Sequence, residues 1–251
     1  MKIAVITGAS SGIGKEFAKK LSTVGGIDEL WLIARRKDLL ETLSTEIGIP
    51  CKIIDIDLAE SDSFVVLQNT LSENNPEIKW LINSAGYGLI GRFDNLLHKN
   101  QSGVVDINCT ALTKVTELCL PYMVKNSYIV NMASAAAFLP QPEFSVYAAS
   151  KSYVLSFSRA LRNELHSHKI NVLAVCPGPV DTEFFKTAED GKTKMKSYKK
   201  FFMTSSDIVA CGAIKASKKN KAVYVPTLKI KLLRLAAKIL PHGMLIKIVY
   251  G

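Results

Sequence analysis

The stretch that decides the fold is Lys2-Ile3-Ala4-Val5-Ile6-Thr7 followed by Gly8-Ala9-Ser10-Ser11-Gly12-Ile13-Gly14. Its first half is an apolar run of strand length, too short for the apolar segment of a secretion signal. Its second half is a glycine-spaced turn, and the helical pattern Gly14–Val24 follows. Glycines permit a tight turn and let backbone approach a ligand closely. A helix that starts after such a turn offers free N–H groups and a partial positive charge. Strand, turn and helix in this order therefore predict a cradle for a pyrophosphate, as at the start of a βαβ unit.

The rest of the chain keeps this rhythm. Strands are predicted at Lys2–Thr7, Glu29–Ala34, Cys51–Ile56, Lys79–Asn83, Tyr128–Met132, Ile170–Cys176 and Ala222–Pro226. Several are apolar almost throughout, as strands covered on both faces of a parallel sheet are. Helical patterns fill the gaps at Gly14–Val24, Leu39–Ile47, Ser61–Glu73, Gln101–Val124, Tyr147–Ser167 and Ser206–Ser217. The alternation implies an α/β fold, a doubly wound parallel sheet of about seven strands with helices on both faces. No internal repeat or linker divides residues 1–251, which read as a single domain.

Composition narrows the function classes. A hydrophobic share of 48% with 22% charged residues fits a soluble globular protein. No stretch of eighteen uncharged apolar residues occurs, so no spanning helix is expected. The five cysteines are odd in number and form no C-x-x-C pair, which speaks against disulfides and zinc and for a reducing cytoplasm. His98, His166, His168 and His242 fit no metal-ligand spacing, so no metal is expected. The formal net charge of +10 comes without an aromatic-basic RNA signature or a recognition-helix pattern, so no nucleic-acid partner is expected.

The second strand ends at Ala34 and runs into Arg35-Arg36. A dinucleotide site for NAD places a carboxylate near here for the ribose 2′-OH, whereas an arginine suits a 2′-phosphate. Ala34 leaves no carboxylate and Arg35 can grip a phosphate bidentately, so NADP(H) is expected over NAD(H). The third strand leads to Asp57-Leu58, where a carboxylate at the strand's end could accept from an adenine amino group. Tyr147 and Lys151 lie four residues apart, on one face of a helix, with Ser134 thirteen residues before Tyr147. A neighbouring ammonium favours a phenolate, so the spacing suggests a tyrosine tuned for proton transfer by Lys151.

These residues together resemble the short-chain dehydrogenase/reductase family, in its single-domain Tyr-x-x-x-Lys branch. The matching pieces are Thr7-Gly-Ala-Ser-Ser-Gly-Ile-Gly14, Asp57, Asn83-Ser-Ala-Gly86, Asn108, Ser134, Tyr147-x-x-x-Lys151 and Pro177-Gly178-x-x-x-Thr182, in the family's order and spacing. Ser84 departs from the family, which more often has a second asparagine there, and Gly25-Gly26 looks like an insertion in a surface turn. The resemblance implies a Rossmann-type fold and hydride transfer between nicotinamide and a secondary alcohol or ketone. It implies Tyr147 as general acid-base and Lys151 as the group that lowers its pKa and holds the nicotinamide ribose. Ser134 would bind the substrate oxygen, and Asn108 would hold a water linking Lys151 to solvent. Gly8, Ser10, Ser11, Gly12, Ile13 and Gly14 would form the pyrophosphate turn. Asn83, Ala85 and Gly86 would lie beside the adenosine ribose, with Leu58 next to the adenine. Thr182, after Pro177-Gly178, would hold the carboxamide and fix the reactive nicotinamide face, and Pro177, Gly178 and Val180 would also bind the cofactor. It also implies a homodimer or homotetramer through the helices carrying Asn108 and Tyr147. The alternative from another class is a catalytically silent dinucleotide-binding scaffold or redox sensor.

Two segments break the rhythm and should carry specificity. Residues 184–203 combine aromatic residues with Lys186, Lys192, Lys194, Lys196, Lys199 and Lys200, and read as a substrate lid with a cationic rim. Such a lid suits an amphipathic carbonyl compound: a steroid, a bile acid or a 3-oxoacyl compound. Residues 227–251 read as a C-terminal helical extension. Within it Leu228–Leu240 is amphipathic, with Lys231, Arg234 and Lys238 on one face, and Pro241 and Gly243 stop it. Pocket wall and subunit contact are favoured for it over a membrane-surface anchor.

Overall fold

The computed structural model describes residues 1–96, 98–184, 188 and 203–250. Among these, seven strands form one sheet: β1 (Lys2–Thr7), β2 (Glu29–Ile33), β3 (Cys51–Ile54), β4 (Glu77–Asn83), β5 (Met123–Met132), β6 (Ile170–Val175) and β7 (Val223–Tyr224). Their order is β3-β2-β1-β4-β5-β6-β7, and every neighbouring pair is parallel. The helices are α1 (Gly12–Leu21), α2 (Lys37–Glu46), α3 (Asp62–Asn74), α4 (His98–Val105), α5 (Leu112–Cys119), α6 (Ser145–Glu164), α7 (Ser206–Lys218), α8 (Leu228–Ile239) and α9 (His242–Tyr250).

The alternation along β1 explains the two-sided core. Successive side chains of a strand point to opposite faces. Ala4 and Ile6 pack with Phe17 and Leu21 of α1, Leu40 and Leu43 of α2, and Val209 and Ala213 of α7. Ile3 and Val5 pack on the other face with Leu67 and Leu71 of α3, Val115 of α5 and Leu161 of α6. The architecture is a doubly wound, Rossmann-type α/β fold with a C-terminal helical pair. The strand order reverses at β1, so the connections after β1 and β4 part and open a crevice at the strands' C-terminal ends.

The long helix predicted over Gln101–Val124 is not continuous. It starts earlier, at His98, and is interrupted by a wider π-helical turn at Asp106–Ala111. It then tightens into a 3₁₀ turn at Leu120–Tyr122, where Pro121 has no N–H with which to extend an α-helix. β5 begins at Met123, five residues before the predicted Tyr128, because Met123 already pairs with Ile78 of β4. The early part tolerates a register shift and a left-handed Asn126 at φ 61°. The predicted lid lies outside the described residues except for Phe184, Ala188 and Met203, and its six lysines lie among the undescribed ones.

The glycine turn is set by contact as well as by conformation. Gly8 has φ +67°, and a Cβ added to Gly14 would sit 2.2 Å from the Gly8 carbonyl oxygen. Helix α1 therefore rests on the end of β1 with no room for a side chain. Gly14→Ala is expected to lower stability by about 2 kcal/mol, a typical overpacking cost. Gly48→Ala, which meets nothing within 4 Å, should stay within about 0.5 kcal/mol of the parent. Urea denaturation midpoints of the two variants check this.

Candidate active site

A cavity of about 940 Å³ fills the crevice and runs from the β1–α1 turn to the start of α6. At the turn it is lined by Gly8, Ser10, Ser11, Gly12 and Ile13. The first turn of α1 contains no acidic residue and Ser11 makes no side-chain cap, so its positive end is uncompensated by side chains. Thr182 closes over this turn, since a Cβ on Gly12 would lie 3.1 Å from its methyl group.

The rim beyond β2 and β3 carries charge. Arg36 donates to Glu183 at 2.9 Å and to Ser10 Oγ at 3.3 Å. Arg35 lies 3.5 Å from Asp57, which also accepts from the Ala59 N–H at 3.0 Å. Arg35, Arg36, Asp57 and Leu58 all line the cavity. So do Ala85, Gly86, Pro177, Gly178, Val180 and Thr182.

At the far end Ser134, Tyr147 and Lys151 meet in the same cavity. Ser134 stands just past β5 and its Oγ accepts from the Ala136 N–H at 3.1 Å. Lys151 is 5% exposed, and its Nζ donates to the Met132 carbonyl at 2.8 Å, below the end of β5. Its ammonium stands 5.6 Å from the centre of the Tyr147 ring. Tyr147 is clamped between Phe144, stacked at 4.3 Å, and Phe184, tilted at 5.4 Å.

This clamp changes the expected electrostatics. Burial pushes the Tyr147 phenol up to about 12, with a hydrogen bond involving Ser134 acting against it. Burial likewise lowers Lys151 to about 8, opposed by Cys109 and Cys176. The sequence spacing suggests that Lys151 lowers the tyrosine; here desolvation is the largest influence on both groups and moves the phenol up and the ammonium down.

Three residues named from the sequence stand behind the cavity wall instead of lining it. Gly14 packs on the Gly8 carbonyl, as described above. Asn83 is 2% exposed, and its amide donates to Thr116 Oγ1 at 3.0 Å and Asn131 Oδ1 at 2.8 Å. Asn108 is fully buried within the π-helical turn. Its Nδ2 donates to the Tyr87 carbonyl and to Ser150 Oγ, both at 2.9 Å, while Oδ1 accepts from the Tyr87 N–H at 3.1 Å. A Cβ on Gly86 would lie 2.7 Å from Asn108 Oδ1 and 3.3 Å from Lys151 Nζ, so only glycine fits between them. Sequence reasoning missed Tyr87, Leu139, Phe144 and Ile248 as cavity residues. For Phe144 a signal was present, since it precedes Tyr147 by three residues at the start of α6. Ile230 and Leu233 of α8 line the cavity, so the extension does wall it.

Known proteins resemble this chain in sequence and fold. A family profile described as short chain dehydrogenase matches residues 2–193. A probable short-chain type dehydrogenase/reductase from Helicobacter pylori is 30% identical over 259 aligned residues, covering 96% of this chain and 94% of that protein. The solved short-chain dehydrogenase from Sphingobium yanoikuyae in complex with NADPH is 28% identical, with a TM-score of 0.81 over 100% of this chain and 98% of that one. A short-chain dehydrogenase/reductase from Burkholderia phymatum in complex with NAD, 21% identical, shares the fold at a TM-score of 0.81 over 93% of this chain and 92% of that one. With the profile spanning most of the chain and the glycine turn, Ser134, Tyr147 and Lys151 lining one crevice, the chain belongs to the short-chain dehydrogenase family of oxidoreductases.

Proposed function

We propose that this oxidoreductase transfers a hydride between NADP(H) and the carbinol carbon of a secondary alcohol, which is the carbonyl carbon of the corresponding ketone, in a substrate with a largely apolar body. The observation that carries the reading is the convergence of Ser134, Tyr147 and Lys151 at one end of a cavity whose other end is the glycine turn. The bound nicotinamide would supply the hydride. Tyr147, which keeps its proton up to about pH 12 in this arrangement, gives that proton to the carbonyl oxygen in the reducing direction. Ser134 donates to the same oxygen and steadies the developing charge. Lys151 keeps a positive charge beside the phenol, anchored on the Met132 carbonyl. Both amide hydrogens of Asn108 are taken by Tyr87 and Ser150, so a water relay from Lys151 would use the second lone pair of its Oδ1.

The preference for NADP(H) rests on Arg35 and Arg36, which border the cavity beside Ser10 with Ala34 in place of a carboxylate. The apolar substrate class rests on Leu139, Phe144, Phe184, Ile230 and Leu233 around the tyrosine end. Assembly through the helices carrying Asn108 and Tyr147 is supported by Val105 and Tyr153, which stay 42% and 43% exposed there.

Three measurements test this reading. Tyr147→Phe should lower kcat for ketone reduction at least about 100-fold while leaving the Kd for NADPH within about twofold. Unchanged turnover would overturn the mechanism, and a parent chain that binds NADPH yet turns over no ketone in a broad panel would make it a silent scaffold. Changing Arg35 and Arg36 together to Ala should raise KM for NADPH about ten- to a hundredfold and leave KM for NADH nearly unchanged, in steady-state assays with both cofactors.

The third measurement uses Lys151. Its folded-state value of about 8 against 10.5 unfolded means that burying the ammonium costs about 3 kcal/mol below pH 8. Between pH 8 and 10.5 the unfolded chain binds more protons at this residue, so its contribution to stability improves as pH rises. In the cofactor-free protein, Lys151→Met should therefore be more stable than the parent at pH 7, and the gap should narrow toward pH 10. Denaturation midpoints across that range check the sign.

A further inference from the structure

The C-terminal helices show a second face that the cavity does not use. In α8 the inward residues are Ile230 and Ala237, both buried, with Leu233 half-buried beside them. At a helical period the opposite side collects Leu228, Leu232, Leu235 and Ile239, which are 70%, 59%, 54% and 69% exposed. These four form a continuous apolar stripe over three turns. Lys231 and Lys238 run along one edge of the stripe, and both are exposed. On α9, Met244 and Ile248 are 43% and 70% exposed, and Ile248 also lines the cavity.

Charge is segregated along the chain, and five of its basic residues, Lys229, Lys231, Arg234, Lys238 and Lys247, lie on α8 and α9 with no acidic residue among them. After Asp207 the chain has no further Asp or Glu and nine of its 32 Lys and Arg residues. Residues 208–251 therefore carry +9 of the formal +10, and residues 1–207 are nearly neutral. A second copy of the chain is disfavoured as the cover, because mating two such faces would bring like charges together. Nucleic acid is disfavoured too, because phosphates would leave the leucine stripe in water. A surface that accepts both leucines and lysines is an anionic bilayer, where the apolar stripe enters the acyl boundary and the lysines reach back to the headgroups. We infer that α8 and α9 dock this protein in the plane of an anionic lipid surface, with the cavity's Ile248 border beside the docked helices.

The test is flotation of the full chain with vesicles of phosphatidylglycerol and phosphatidylcholine in equal parts, against vesicles of phosphatidylcholine alone. Binding should be strong to the first, much weaker to the second, and should fall as salt is raised. A basic residue near an anionic bilayer strengthens binding about fivefold, so Lys231→Glu with Lys238→Glu should weaken it at least about 25-fold. Leu232→Ser, Leu235→Ser and Ile239→Ser together should weaken it at least about tenfold. All five positions are exposed, and an unchanged thermal midpoint confirms that each variant folds. Failure of the parent to float with the anionic vesicles, equal flotation with both kinds, or parent-like flotation of the two variants would overturn the inference. So would sedimentation showing a parent dimer that the triple serine variant converts to monomer, since the stripe would then be a subunit contact. If the triple serine variant does not fold, the charge variant alone decides.

Discussion

The arrangement of this molecule turns on a buried ammonium. Lys151 is nearly inaccessible, and among the described residues no ion pair joins it to a carboxylate; its Nζ is held by a backbone carbonyl at the end of β5. A cation in that position is costly unless the groups around it are fixed. The neighbours are accordingly the least adaptable parts of the fold. Gly86 leaves space where any side chain would strike Asn108 or the ammonium. Asn108 is locked by three hydrogen bonds to Tyr87 and Ser150. The bond from Asn108 to Ser150 Oγ ties the π-helical turn to α6, and Ser150 in turn donates to the Tyr147 carbonyl at 2.8 Å within that helix. One layer deeper, Asn83, Thr116, Asn131 and Ser158 link the ends of β4 and β5 to α5 and α6. The polar core thus fixes the relative position of the strand end and the helix start between which the ammonium sits.

What the sequence revealed follows the range of the interactions. The seven strands and the glycine turn were legible because each depends on a local pattern: an apolar run, a period, a glycine where φ is positive. The four-residue spacing of Tyr147 and Lys151 was legible for the same reason, and it places both in one cavity. The clamp on Tyr147 was not, because Phe184 comes from a segment 37 residues away and no periodicity announces it. With the clamp unseen, the sign of the tyrosine's shift could not be read either, since burial decides it. The π-helical turn was also illegible: one extra residue per turn leaves the apolar pattern of a long helix almost unchanged. Nor could the sequence separate Asn83 and Asn108, which support the cavity from behind, from residues that line it.

Arginines at the rim show how a charge read in isolation acquires partners. Arg35 and Arg36 both border the cavity, but each is already paired, with Asp57 and Glu183 respectively. These pairs are solvent-exposed, so they are weak and exchange readily for a stronger anion. Glu183 adjoins Thr182, which rests on the glycine turn, so the Arg36 pair spans the crevice from the β2 side to the β6 side. Any anion gripped by Arg36 would compete with Glu183 for the guanidinium.

The basicity of the whole chain has a different origin from the site. A net charge of +10 and a pI near 9.3 invite the thought that the cavity attracts an acidic ligand. Yet the first 207 residues, which supply six of the seven strands, the glycine turn and the Ser134, Tyr147 and Lys151 cluster, hold 23 basic and 22 acidic residues. Nearly all the surplus belongs to the residues after Asp207, where α8 turns one side to the cavity wall and the other to solvent. A nearly neutral catalytic body joined to a strongly cationic, apolar-striped end has two electrostatic regions with separate demands. The two regions still touch at one point: Arg234 of α8 acts on the buried Cys176, which also faces Lys151, whereas the exposed Lys231 and Lys238 are screened by salt, whose reach is about 10 Å at moderate ionic strength.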